Sequence, residues 1–250
     1  MNPPTTRTVR VAAVQVESKH GCNEINREHA TAFIEQAAQA GAQLIVLPEL
    51  FASGYMPNET LWDAAEPPDG QTITWLKKTA QRLGVYLGAG LVETDGKDFM
   101  NIIVLAAPDG SIAGRAQKAN AEANCFKRGR GSHIIDTSLG KLGVGICADT
   151  HFIAFARLMQ KEAVALLLMP HAWPTPATTT RGVSERDRQD QVAKTKQLPY
   201  YYAQLLGVPV IFVNQVGSMG RLSGLLGRIM TPEIFRLEGR SRESWKQRKE

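Results

Sequence analysis

Short apolar runs alternate with helix-period segments along most of this chain, and that alternation restricts the fold more than any other feature. Val9–Val16, Gln43–Leu47, Val85–Leu91 and Ile102–Ala106 are rich in Val, Ile and Leu and too short for buried helices, so they are predicted as strands. Between them, Asn23–Ala40 carries Ile25, Ala30, Phe33, Ile34 and Ala37 at near-helical spacing, with Gly41 as a stop. Gln71–Leu83 is a second amphipathic helix, closed by Gly84. The Pro-Asp-Gly turn at Pro108–Gly110 starts a hairpin into Ser111–Ala116. Strands are predicted near Ile134–Asp136, over Lys141–Ile146 and over Val164–Met169, with a helix over Phe152–Lys161. A polar, Thr-rich segment, Thr175–Thr180, then precedes a helix over Arg186–Leu206, bent at Pro199, and a strand over Val208–Asn214. The pattern is that of an α/β fold with mixed sheets covered by helices on the outside.

Composition narrows the function classes. The net charge of +5 would suit a nucleic-acid partner, but eight basic and four acidic residues from Arg221 onward place four of those charges in the last thirty positions. The body of the chain has no basic stripe with interleaved aromatics, so the charge reads as a solvated tail and no nucleic-acid partner is expected. Cys22, Cys125 and Cys147 are too few and wrongly spaced for a disulfide framework or a zinc site. Neither a signal-peptide core nor a run of membrane-spanning length appears, so the expected setting is the reducing cytoplasm.

Active groups in α/β sheets sit just beyond strand ends. The Lys141–Ile146 strand delivers Cys147 into a strand-to-helix junction, with Asp149 two residues on. Backbone N–H groups at such a turn can stabilise a thiolate or an oxyanion. Gln43–Leu47 runs into Pro48 and Glu49, and the hairpin strand at Ser111 runs into a loop holding Lys118 and Glu122. Taken singly, each has a structural reading: a small buried hydrophobe, a capped loop residue, a solvent-exposed pair. Taken together, a thiol, a carboxylate and an ammonium group form a coherent set. Glu49 can take the proton of a Cys nucleophile, Lys118 can hold a developing oxyanion, and no His is required.

The ordered motifs resemble the nitrilase superfamily of carbon–nitrogen hydrolases. The Glu segment is Pro48-Glu49 through Gly54-Tyr55, the Lys is Lys118 after the hairpin, and the Cys segment is Gly143 through Asp149. VAAVQ at Val11–Gln15, Met100-Asn101, Pro108–Gly110, Ala121–Gly129, Met169–Pro174 and Gly207–Gly217 follow the family's order across roughly residues 8–240. The resemblance implies an αββα sandwich with no metal or organic cofactor. It implies that Cys147 attacks an amide, carbamoyl or nitrile carbon of a small molecule to form a thioester, with Glu49 as general base and then general acid. It assigns the oxyanion to Lys118 and the Ala148 backbone N–H, and makes Glu122 a second glutamate orienting these groups. Tyr55, His151, His171 and Trp173 are the expected substrate-lining residues, and a homodimer or higher homo-oligomer is the expected assembly.

Departures from the family pattern leave other readings open. An Arg common to the C-x-D-x-R position is His151 here, which weakens the expectation of a carboxylate-bearing substrate, and the loop after Lys118 is short. An acyltransferase on the same scaffold and a catalytically silent binding protein remain alternatives. The domain is expected over residues 8–241, with 242–250 as a polar, pattern-free tail. After the Gly239-Arg240-Ser241 segment, the last strands of the family fold are expected to be absent or supplied by another chain.

Overall fold

The computed structural model describes residues 8–55, 58, 60–122, 125–176, 183–219, 235–238 and 242–244. Period-two burial assigns each strand to its place. In β2 (Leu44–Val46), Leu44 and Val46 face one core while Ile45 and the following Leu47 face another. In β4 (Phe99–Ala106), Ile103 and Leu105 join the first core, and Ile102, Val104 and Ala106 join the second. Strands buried on both faces in this way must lie between two layers.

The first sheet has the order β1 (Val11–Ala13), β2, β3 (Tyr86–Thr94), β4, β5 (Ile112–Gln117). Its first three strands are parallel, and β3, β4 and β5 are antiparallel neighbours. Helices α1 (Asn23–Gln39) and α3 (Gln71–Leu83) supply Ala30, Ile34, Ile73, Leu76 and Ala80 to its outer face. A short α2 (Thr60–Asp63) lies between them in sequence.

The second sheet holds β6 (Ile134–Thr137), β7 (Gly140–Val144), β8 (Leu166–His171) and β10 (Val210–Asn214), with β13 (Arg242–Ser244) at the β10 edge. Leu142, Val144, Leu166, Leu168, Ile211 and Val213 meet Leu44, Val46, Ile103 and Leu105 in a core between the sheets. On the outer face, Leu167, Met169, Val210 and Phe212 pack against α4 (Ile153–Lys161) and α5 (Glu185–Leu206) through Phe155, Met159, Tyr202 and Ala203. The result is the expected layer order, helices–sheet–sheet–helices.

Several boundaries differ from expectation for visible reasons. β1 is three residues long, its parallel register with β2 ending at Ala13–Val46, and β3 and β4 extend into a longer hairpin because they pair over eight positions. Helix α5 begins at Glu185 because Ser184 and Asp187 form a reciprocal capping box, and it includes Pro199. The C-terminal stretch does contribute strands: β12 (Phe235–Glu238) pairs antiparallel with β11 (Val216–Ser218) and with β9 (Pro174–Pro176), and β13 pairs antiparallel with β10. Arg242–Ser244, expected as the start of a pattern-free tail, is therefore an edge strand, held by backbone pairing that needs no apolar period. The Gly239-Arg240-Ser241 segment, residues 177–180 of the Thr-rich stretch and residues 123–124 of the Ala121–Gly129 motif lie outside the described residues.

Gly90 couples the first sheet to the loop after β2. A methyl group built there would lie 2.5 Å from the carbonyl oxygen of Pro48 and 2.5 Å from the backbone nitrogen of Leu50. Those neighbours are backbone and cannot swing away. Overpacking of this kind costs about 1–3 kcal/mol, so Gly90→Ala is expected to lower the thermal midpoint by several degrees; an unchanged midpoint by circular dichroism would show that the loop yields freely.

Candidate active site

Beyond β2 the chain makes a tight turn in which Leu50 takes the left-handed conformation, φ 49°. Between Val46 and this turn stands Glu49, wholly buried. Four donors hold it. Lys118 Nζ donates to Oε1 at 2.7 Å and Asn101 Nδ2 to the same oxygen at 2.8 Å. The Ala172 backbone N–H donates to Oε2 at 2.8 Å, and Gln215 Nε2 donates to the backbone carbonyl of Glu49 at 2.6 Å. Both sheets therefore contribute to fixing one carboxylate.

Lys118 follows β5 and extends its ladder by one bond, its N–H donating to the Asn101 carbonyl at 2.9 Å. Its side chain is also fully buried and donates to Glu122 Oε1 at 2.7 Å as well as to Glu49. The solvent-exposed reading of the Lys118–Glu122 pair thus fails, because these residues lie in an inward-folded loop and not on a helix surface.

Cys147 opens a 3-10 helix, Cys147–His151, directly after the β7 region, with φ 44°. A left-handed conformation is uncommon outside glycine and costs on the order of 1–3 kcal/mol. Packing against Gly145 fixes the approach to the turn: a methyl group there would meet Phe155 and Thr150 at 2.6 Å. The Thr150 hydroxyl donates to the Cys147 carbonyl at 2.7 Å, and the Tyr202 hydroxyl donates to the Thr150 carbonyl at 2.8 Å. The Ala148 N–H lies in the first turn of this helix, where amides have no intrahelical acceptor.

Asp149 ties the Cys segment to the Lys segment. It is buried, and its Oδ1 accepts from the Asn120 backbone N–H at 2.7 Å and from Asn120 Nδ2 at 3.2 Å. Asn120 is two residues beyond Lys118, and Asp149 two beyond Cys147.

The electrostatics follow from burial and mutual charge. Burial pushes the Glu49 carboxyl up, but the Lys118 charge and the hydrogen bonds from Lys118 and Asn101 outweigh it, so its pKa lies below the ordinary value. Burial would lower Lys118, yet the charges of Glu49, Cys147 and Glu122 hold its pKa above the usual lysine range. The Cys147 thiol is pushed well up by burial and by Glu49, with Lys118 and the Ala172 N–H acting the other way. Glu122 is raised by burial and by the Glu49 charge. The resting arrangement is a neutral thiol beside a carboxylate and an ammonium group.

The expected lining residues fall at different depths. Tyr55 packs against the cluster of Leu50, Leu61, Val92 and Phe126, its hydroxyl titrating above the usual tyrosine range through burial and the charges of Glu122, Glu49 and Cys147. His171, at the end of β8, is fully buried, with Nδ1 3.0 Å from the Met169 carbonyl and Nε2 3.4 Å from the Thr150 hydroxyl. Burial lowers its pKa to about 3, so it stays neutral. Its ring contacts Phe212 and Trp173, with centroids 4.6 and 5.9 Å away. Trp173 and His151 face each other at 4.5 Å and line a surface groove against α5.

Three groups at the site went unassigned by role in the sequence: Asn101, Gln215 and the Ala172 N–H. Asn101 and Gln215 each occupy a matched motif, and a polar amide inside or just after an apolar strand is the feature that could have marked them.

Comparison with known proteins bears on the family and the fold. The carbon-nitrogen hydrolase profile matches residues 10–241. The chain is 36% identical over 177 residues to a nitrilase of Pyrococcus abyssi, covering 66% of this chain and 67% of that protein. It is 30% identical over 161 residues to the omega-amidase NIT2-B of Xenopus laevis, covering 59% of this chain and 58% of that protein, so the match spans less than two thirds of that relative. The crystal structure of a carbon-nitrogen hydrolase from Helicobacter pylori G27 superposes with a TM-score of 0.81 at 25% identity, over 94% of this chain and 81% of that one. With the profile covering nearly the whole chain and the same layered sheets recurring in that structure, the chain belongs to the carbon-nitrogen hydrolase family.

Proposed function

We propose that this protein is a thiol-dependent hydrolase that cleaves a non-peptide C–N bond of a small amide or N-carbamoyl compound, with nitriles less favoured. The observation that carries this reading is the buried Glu49–Lys118 ion pair beside the Cys147 turn. Cys147 Sγ attacks the carbonyl carbon as Glu49 takes the thiol proton. Lys118 and the Ala148 N–H stabilise the oxyanion of the tetrahedral intermediate. Glu49 then returns the proton to the departing nitrogen, leaving a thioester. Water, deprotonated by Glu49, attacks the thioester, and the carboxylic acid leaves as Sγ regains its proton. Glu122 orients Lys118 through their 2.7 Å hydrogen bond.

The pKa directions support these roles. Glu49 is ionised and ready to accept a proton, Lys118 remains charged, and the thiol is neutral until substrate arrives. The relatives include a nitrilase and omega-amidases by name, which supports C–N hydrolysis without ranking amides against nitriles. Cys22, Cys125 and Cys147 are all free thiols, in keeping with a cytoplasmic setting. Phe152 and Ile153, both about half exposed or more at the start of α4, offer apolar surface that a homo-oligomer would cover.

A screen of amides, N-carbamoyl compounds and nitriles scored by ammonia release tests the reading; turnover of none of them would overturn it. Cys147→Ala is expected to abolish ammonia release while keeping the fold. Glu49→Gln should lower turnover about a hundredfold or more, and an unchanged rate would point to another base. Lys118→Arg keeps the charge but not the compact ammonium geometry, so it should lose about a hundred- to a thousandfold, nearly as much as Lys118→Ala. Removing one member of a buried ion pair also costs about 3–5 kcal/mol of stability, so each rate is compared only where thermal unfolding shows a folded protein. Near-wild-type turnover by Lys118→Arg would remove the lysine from the oxyanion site.

A further inference from the structure

We infer that Thr150 is a positioning residue for the oxyanion site: by holding the Cys147 carbonyl, and being held in turn by Tyr202, it aims the Ala148 N–H at the reacting carbonyl oxygen. The role rests on the hydrolase reading above and adds to it two side chains that act through the backbone.

The geometry starts from one peptide plane. The Cys147 carbonyl and the Ala148 N–H belong to the same trans unit and point in opposite directions, so whatever fixes one fixes the other. The Thr150 hydroxyl donates to that carbonyl at 2.7 Å. A threonine bonding to a nearby carbonyl earlier in its own helix is common. Here, however, the carbonyl belongs to a residue in the left-handed conformation, φ 44°, which follows an extended Ile146 and opens a helix of only five residues. Little regular structure lies on either side to set the rotation of the plane. The hydroxyl bond does so, and it also polarises the amide, which makes the opposite N–H a stronger donor.

Thr150 is itself held from several directions. Its methyl group packs against Gly145, where an added Cβ would lie 2.6 Å from it. A β-branched side chain is stiff about its first torsion, so a fixed methyl fixes the hydroxyl. The Thr150 carbonyl accepts from the Tyr202 hydroxyl at 2.8 Å, and Tyr202 is buried in α5 with its ring against Phe155, centroids 6.0 Å apart. His171 completes the setting. The Met169 carbonyl beside Nδ1 can only accept, which assigns the proton of the neutral imidazole to Nδ1 and leaves Nε2 an acceptor, 3.4 Å from the Thr150 hydroxyl. The hydroxyl proton therefore has two acceptors, and the Cys147 carbonyl is the nearer. A chain of bonds runs from α5 through Tyr202 and Thr150 to the peptide that follows the nucleophile.

Two reagents separate this role from a general one in shaping the turn. With p-nitrophenyl acetate, Cys147 Sγ bonds to the acyl carbon through an oxyanion, the thiol proton passes to Glu49 and p-nitrophenolate leaves. With iodoacetamide, Sγ displaces iodide and no oxyanion forms. Thr150→Val is expected to slow acylation about ten- to a hundredfold, less than the outright loss of an oxyanion donor, and to leave alkylation unchanged. Thr150→Ser should restore most of the acylation rate. Tyr202→Phe, which removes one hydroxyl, should slow acylation about three- to tenfold, the scale of one neutral hydrogen bond, with alkylation again unchanged; it decides the outcome if Thr150→Val does not fold. Acylation equal to wild type in these variants, or acylation and alkylation falling together, would overturn the positioning role while leaving the hydrolase reading intact. A wild-type protein alkylated at Cys147 but never acylated there would instead overturn the hydrolase reading, and the positioning role with it.

Discussion

A buried lysine hydrogen-bonded to a buried glutamate is the interaction on which the rest of this structure depends. Both side chains are fully out of solvent, and neither charge could stay there without the other. The cost of dehydrating them is offset by dense bonding: Asn101, Ala172 and Glu122 take up oxygens and protons that the pair leaves over. Such a cluster fixes two ionised groups of opposite sign beside a thiol that burial keeps neutral. A carboxylate, an ammonium group and a thiol are thereby held together in one buried cluster.

The double-sheet architecture is what brings these groups together. Glu49 comes from the end of β2 and Lys118 from the end of β5 in the first sheet, whereas Cys147 follows β7 and Ala172 follows β8 in the second. The interlocked apolar core between the sheets sets the distance between the two groups of strand ends. Backbone features then aim the loops: left-handed turns at Leu50 and Cys147, the close approach at Gly90, and the bond from Asn120 to Asp149 that joins the lysine loop to the cysteine loop. Packing at a distance from the thiol therefore sets the geometry of the cluster.

Much of this was legible in the sequence, for identifiable reasons. Helix α3 was readable to the residue because its apolar stripe is regular and Gly84 takes the left-handed capping conformation. Glu49, Lys118 and Cys147 stood out because each is a reactive group placed immediately after an apolar strand. Glu122 was legible only as part of a motif, since its four-residue offset from Lys118 also describes a surface pair. Asn101 and Gln215 were marked only as polar amides in or just after apolar strands, and their purpose stayed hidden because their partner, Glu49, lies far away in sequence. Strands β11, β12 and β13 were unreadable for a related reason: they are short, and their pairing is through backbone groups that any residue carries. His171 was expected at the pocket wall, and the structure puts it deeper, wedged between Phe212, Trp173 and Thr150.

The account turns on a covalent bond to one sulfur. Intact-protein mass spectrometry on acid-quenched turnover mixtures, followed by peptide mapping, reads that bond directly. The account predicts a mass increase equal to the acyl group, located on the peptide that contains Cys147, discharged by hydroxylamine, and accumulating in proportion to the rate of thioester formation. Sustained turnover with no adduct on Cys147, or with the acyl group on Cys125 or Cys22 instead, would contradict it.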